Sequence, residues 1–591
     1  MPISLRQGFL ALMLAASALA QANDAAWVEQ SNANAAPLLD VMARYAPESA
    51  AALGVDGHDE AVFDLKPGYD TRFEADLAAL SGELEAKLAT TTEPRVRQDL
   101  QILVTAARDQ ATTSRLNRQL MLPYFDLGQV LFRSFDSLLD PRVAKERYPA
   151  ALTRLRRYTG TEPGYTPIAE LARARIEERF ATPGLTGPWT VEVEQSLENQ
   201  PRYLDGIKEA FEKSGLEAWQ DEHAKLVSQL DEHAKWVKST VLPRARRTNR
   251  LPPEIYADNL RNFGVKADPQ ELIQTALIGY MQARDELDAL ARQVARERKY
   301  PDADYRAVLA QLKKDTIAND DLMPTYRARL GNIEEIVRRE RIVTMPDRAA
   351  VIRLASEGES TAQPAPHLSP PRLIGNTGEP AEFVLPLENP NAPPGTKMDD
   401  FTFDAITWTL TAHEARPGHE LQFAKMVENG TSIPRVIFAF NSANVEGWAL
   451  YAEAVMKQYL PVEGQIGSLQ MRLMRAARAF LDPMINLGTM EPVAAQQFLM
   501  KEVGLSEPMA KQEIDRYSFR APGQATSYFY GYQKQLELRA RAEMALGARF
   551  DELSYHDFVI GEGLLPPELL EQAVMERYVA PRRTAAAAGA E

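Results

Sequence analysis

The stretch FTFDAITWTLTAHEARPGHELQFAKMVENG, residues 401–430, decides how this chain is read. Apolar residues recur at helical spacing on both sides of its centre. The centre holds His413, Glu414 and His419, with Pro417 and Gly418 just before the second histidine. A zinc peptidase helix reads H-E-x-x-H, which puts two imidazoles on one face. Here the histidines stand six positions apart, and a straight helix would turn them about 240° from each other. Pro417 removes its own N–H and crowds the carbonyl of His413, so the helix must kink or bulge there. A bulge with Gly418 beside it returns His419 to the place of an i+4 histidine. On spacing alone, a metal site and a pair of satisfied core or surface histidines both remain open.

The next helix adds a carboxylate. In NSANVEGWALYAEAVMKQYL (441–460), Glu446 and Glu453 are seven apart and share a face. Their neighbours are apolar, and a carboxylate in such company is costly to bury unless it is paired or bound to metal. Glu446 is the candidate third ligand; a Glu446 turned to solvent is the other reading. In APGQATSYFYGYQKQLELRAR (521–541), Gln524, Tyr528, Tyr532, Gln535 and Arg539 form one polar and aromatic stripe. Tyr and Arg suit a developing oxyanion or a substrate carboxylate, and an amphipathic packing face fits the stripe as well. His556 reads as a structural histidine or a substrate-binding group.

The rest of the chain sets bounds. Lys+Arg 67 against Asp+Glu 82 gives a net charge of −15, which leaves no basic excess for a nucleic-acid partner. Residues 1–22, with Arg6 and a short apolar run ending in Ala-x-Ala, read as a secretory signal and place the mature protein in the periplasm. No later run is apolar for long enough to span a membrane. With no cysteine there is no disulfide, no thiolate metal site and no lipid-bearing Cys. Residues 23–345 form an N-terminal helical region. Within it, 269–299 offers Leu272, Ala276, Ile278, Met281, Leu287 and Leu290 to a core. The repeated DEHAK (221–225 and 231–235) reads as an exposed charged helix, with His223 and His233 on different faces. Residues 346–400 are rich in Pro and Gly. They read as a linker, or as an ordered irregular segment whose short strand near 375–390 offers an edge to a bound peptide. Residues 401–580 form the C-terminal helical region that holds the candidate site, and 581–591 a frayed tail. No G-x-S-x-G or P-loop string occurs.

In order along the chain, HEARPGHELQ, VEGWALYAE, RAPGQATSYFYGYQKQLELR and YHDFVIGEGLLPPELL resemble the bacterial domain-of-unknown-function family 885. That family is similar to helical zinc peptidases of the thimet oligopeptidase and thermostable carboxypeptidase type. The resemblance implies a mostly α-helical, metallopeptidase-like fold around a central cleft, with one zinc per chain and a peptide substrate. It implies His413, His419 and Glu446 as zinc ligands, Glu414 as general base, and Tyr528 or Tyr532 against the oxyanion. Glu453 would orient a ligand, Arg520 and Arg539 are candidates for the peptide's C-terminal carboxylate, and Gln524 and His556 would support a ligand or meet substrate. Many members carry a histidine after the second ligand, where this chain has Glu420. The alternative is a non-catalytic helical protein that holds peptide or glycan in a degenerate cleft.

Overall fold

The computed structural model describes residues 26–588, apart from 357–358, 361–362, 364 and 387–397. The signal expected over 1–22 and the most Pro-rich part of the irregular segment lie outside the described residues. Helices dominate. Several start on a side chain that accepts from the first turn, such as Asp126, Asp268, Asn441 and Ser506. Each such cap is worth about 1 kcal/mol. Of the tail expected to fray, residues 581–588 lie in helix Ala580–Ala588, and 589–591 fall outside the described residues.

The main core draws on both helical regions. Helix Pro269–Arg298 lies along helix Val462–Asn486 in the most extensive helix pair of the molecule. Leu287, Ala291 and Val294 there join Leu469, Leu473 and Phe480 in one continuous apolar cluster. Ile278 and Met281, expected in that core, are 62% and 42% exposed. The buried stripe runs instead through Ile273, Ala276, Tyr280, Ala283 and Leu287, whose alanines allow the close approach. Smaller cores hold the N-terminal helices, one around Phe132, Phe135, Tyr158 and Phe211, another around Leu77, Leu84, Leu100 and Leu103.

The DEHAK helix, Gln220–Trp236, also departs from expectation: His223 and His233 are both buried, with Leu226 and Leu230 between them. A ten-residue step leaves side chains only about 80° apart, which fits inside a buried stripe some 100° wide.

The irregular segment holds the one sheet among the described residues. Strands β1 (Val351–Leu354), β2 (His367–Ser369) and β3 (Glu382–Leu385) lie in the order β1-β3-β2. β1 pairs with β3 in parallel and β2 with β3 antiparallel. The stretch expected to offer its edge, Glu382 to Val384, is therefore the central strand and has partners on both sides. β2 is an edge strand, and it packs against the segment Thr411–Ala415 that carries His413 and Glu414.

Candidate metal centre

The helix read from residue 401 does not bulge and continue; it stops and restarts. An α-helix, Asp404–Leu410, widens into a π-helical turn over Thr411–Ala415, and a new α-helix begins at His419 and runs to Asn429. Arg416 is extended between them (φ −120°, ψ 137°), as a residue before proline prefers. Only glycine fits at 418, where a Cβ would lie 1.9 Å from the His413 carbonyl oxygen. Trp448 Nε1 donates to the Pro417 carbonyl at 3.0 Å and ties the turn to the Glu446 helix. Arg416, fully buried, donates to Glu420 at 2.6 Å and to Glu334 at 2.6 Å. Glu420, the departure from the family pattern, also takes Arg348 at 2.8 Å, so it is a brace within this turn.

The break brings the imidazoles together edge to face, with centroids 4.7 Å apart. Glu446 reaches them from helix Ser442–Lys457. Its Oε2 lies 3.4 Å from His413 Nε2 and 3.4 Å from His419 Nε2. Those separations exceed the usual hydrogen-bond range, and Glu446 Oε2 is buried without a hydrogen-bond partner among the described residues. They match a tetrahedral zinc instead: two donors about 2.0–2.1 Å from the ion lie roughly 3.3–3.4 Å apart. Among the described residues, this is the one group of three or more His, Cys, Asp or Glu with ligand atoms so close together. The donor set, two nitrogens and a carboxylate oxygen, is also one that zinc accepts.

Glu453, one heptad along the same face, holds His413. Its Oε1 accepts the Nδ1–H at 2.6 Å and its Oε2 accepts from Thr409 at 2.6 Å, while Arg475 stands 3.2 Å away. This fixes the tautomer and leaves Nε2 for the triad. Burial alone would depress the His413 pKa, but Glu446 and Glu453, with Glu414, hold it up to about 9. Burial would raise Glu446, yet the two imidazoles keep it well below the ordinary carboxylate range. Glu414 Oε1 lies 3.9 Å from His413 Nε2, with its side chain 11% exposed. His419 Nδ1 is buried and has no hydrogen-bond partner among the described residues.

Tyr528 faces this group because two helices touch backbone to backbone. A Cβ on Gly447 would lie 2.6 Å from Gly531, and one on Gly531 only 1.9 Å from the Ala443 carbonyl. The Tyr528 ring stacks on His413 at 6.5 Å and 12°. Arg516 Nη2 donates to its hydroxyl at 2.9 Å. Tyr532 lies a turn further along, with Arg472 at 5.5 Å from its ring centroid.

Arg539, His556 and Arg520 have their partners away from this group, while Gln524 holds Arg516 beside Tyr528. Arg539 pairs with Glu543 and Glu552 and donates to the Tyr451 hydroxyl. Tyr451 in turn meets His556 Nε2 at 2.7 Å, and His556 Nδ1 meets the Ile342 carbonyl at 2.8 Å. That chain of donors requires a neutral His556, and burial pushes its pKa down to about 4. His556 lies edge to face with Trp448, centroids 5.7 Å apart. Arg520 donates to Gln195 at 3.2 Å, and Gln524 links Arg516 to Ser442. Sequence reasoning missed Arg475, Arg478 and Arg516. An R-x-x-R-x-x-R run, Arg472 to Arg478, in an otherwise apolar helix was the available signal.

The profile of the family described as "Bacterial protein of unknown function (DUF885)" matches residues 47–574. The chain belongs to this family. Two solved structures share its fold. The first is described as "the putative lipoprotein from Colwellia psychrerythraea", with a TM-score of 0.74 and 17% identity over 92% of this chain and 98% of that one. The second, "a putative lipoprotein of unknown function from Shewanella oneidensis", has a TM-score of 0.72 and 18% identity over 93% and 100%. At such identities the likeness is one of fold. No curated protein matches the chain in sequence. Among the described residues, no helix is long and apolar enough to cross a membrane.

Proposed function

We propose that this family member is a zinc-dependent peptidase that acts on short peptides outside the cytoplasm. Kinship with helical zinc peptidases, and a cleft above the His413 turn, are parts of the same proposal. The observation that carries it is the convergence of His413, His419 and Glu446, with Glu446 at tetrahedral spacing from each imidazole and Glu414 alongside. A zinc ion held there would polarise a peptide carbonyl and lower the pKa of a water to about 7.

The chain's own residues supply the rest. Glu414 is adjacent to a ligand without being needed as one, which suits a general base. It takes a proton from the water as the water oxygen bonds to the carbonyl carbon. It returns that proton to the amine as the C–N bond breaks. Arg516 donates into the Tyr528 oxygen, so the phenolic hydrogen is left for the carbonyl oxygen as that oxygen gains charge. Tyr528 takes this role in preference to Tyr532 because its ring lies against His413. Edge strand β2, beside the same turn, offers its backbone to an extended substrate.

Metal analysis of the purified protein, run beside cleavage of a peptide library, tests the proposal. One zinc per chain and cleavage that chelation abolishes are expected. Protein without stoichiometric metal, or zinc-replete protein that cuts nothing, would overturn it.

A further inference from the structure

The positive side of the site says more about substrate than the ligands do. Arg478 makes a two-pronged ion pair with Glu513, both contacts at 2.7 Å, and Tyr517 donates to the same carboxylate. Arg516 reaches Glu513 only at 3.6 Å. Both guanidiniums lie over the ring of Tyr528, at 4.7 and 5.0 Å from its centroid. Glu513 thus serves two cations in a largely buried place. The next acid, Asp482, adds little countercharge: burial, against hydrogen bonds from Tyr256 and the Gly523 N–H, raises its pKa to about 7. A buried positive charge without a full partner is costly unless an anion joins it.

Arg516 is the member with spare capacity. Its Nε and Nη2 are used by Gln524 and Tyr528. Its Nη1 stands 3.6 Å from Glu513 Oε1 without a hydrogen bond among the described residues, and the side chain keeps 20% exposure. Tyr528 neighbours both: its ring centroid lies 5.0 Å from this guanidinium and 6.5 Å from the His413 ring, so the two are at most about 11.5 Å apart. About three extended residues, at roughly 3.5 Å each, span such a gap.

Resting on the peptidase reading, we propose that Arg516 anchors the free C-terminal carboxylate of the substrate, which makes the enzyme an exopeptidase that releases one to three residues from that end. The Nη1 amino group can give a carboxylate charge-assisted hydrogen bonds while Nε and Nη2 stay with Gln524 and Tyr528. The one anion the cluster lacks then arrives with the substrate.

The test uses zinc-loaded full-length protein and one peptide in three forms: the free acid, the C-terminal amide, and an amide whose last residue is aspartate. The acid should exceed the plain amide in kcat/KM by about 10- to 100-fold, the worth of one or two charge-assisted hydrogen bonds. Arg516→Met should lower kcat on acid and amide alike through Tyr528 and, by raising KM for the acid alone, erase the gap between them, and Arg516→Lys should restore part of that gap. Equal rates on acid and amide overturn the inference and leave the peptidase reading standing. An aspartyl amide as good as the free acid assigns Arg516 to an acidic side chain and overturns the C-terminal assignment. Calorimetry on the Glu414→Gln protein reads binding without turnover: the acid should bind about 10- to 100-fold tighter than the amide, and equal binding overturns the inference. Zinc-replete wild type that cuts none of the peptides overturns the peptidase reading and the inference with it. If an Arg516 variant fails to fold, the wild-type acid-to-amide ratio decides.

Discussion

Two buried pairs of histidines sit in this chain, and their surroundings differ in one respect that matters. His223 and His233 are held by apolar rings and neutral or cationic groups. His223 meets the Leu204 carbonyl and the edge of Trp219, while His233 meets Arg173 and stacks on Trp236. Burial lowers both, and Arg173 helps take His233 to about 4. His413 and His419 are equally buried but meet Glu414, Glu446 and Glu453, and His413 is held up to about 9. Burial makes a histidine neutral; converging carboxylates make a place for a cation. Spacing in sequence distinguishes neither case, since both pairs lie at separations that look wrong for a shared site.

The largest effect expected is loss of the ion. His413→Ala and His419→Ala should each take zinc from one per chain to none, with activity at background and helical circular dichroism unchanged. His223→Gln should keep full zinc. A His419→Ala protein that binds zinc like wild type would break the comparison, because the restart of the helix at His419 would then serve packing alone. Next comes Glu414→Gln, which should keep zinc and substrate affinity while kcat falls by roughly 10²–10⁴. Glu446→Gln should weaken zinc itself. The reverse pattern would exchange the two roles.

Glu453 sharpens the contrast, since it touches a ligand without being one. Glu453→Gln keeps the shape and removes the charge that orients His413. Zinc affinity should drop by roughly 10–100-fold, measured by competition with a chelator. An unchanged affinity would mean that Thr409 and Arg475 hold this carboxylate for packing only.

Much of the candidate site was legible because its parts are local. His413, Glu414 and His419 lie within seven residues, and the Pro-Gly before His419 announces a break. Glu446 and Glu453 share a helix face by simple geometry, as do Tyr528 and Tyr532. What the sequence hides is which way each face turns. Arg539 lies on the same stripe as Tyr528, yet it sits some three turns along, where Tyr451 and Glu552 take it. The contact that puts Tyr528 beside the triad depends on Gly447 meeting Gly531, 84 positions apart, and nothing local marks either glycine as a meeting point. Arg516 shows the same limit, because its value comes from sharing Glu513 with Arg478 on another helix. The mostly helical class needed only periodicity. The sheet, by contrast, was half read: one strand fell where expected, but its two partners are three- and four-residue strands too short to carry a pattern.

The smallest effect returns to the other pair. His233 keeps a pKa of about 4 in the folded protein, below the roughly 6.5 of an exposed histidine. Between those values the unfolded chain binds a proton that the folded chain refuses, so stability rises with pH there and is lost as pH falls from about 6.5 toward 4. A shift of this size corresponds to at most roughly 3 kcal/mol for His233 at the acid end of the window. His233→Phe keeps a ring to stack on Trp236 and removes the titration. Its melting temperature, followed from pH 7 to pH 4, should fall less steeply than that of wild type, even if it starts lower for want of the Arg173 contact. The carboxylates around the metal site titrate in both proteins and cancel in the difference. Parallel curves for the two proteins would mean that His233 takes up its proton while folded, and the contrast between a histidine neutralised by burial and one held by carboxylates would fail at its simpler end.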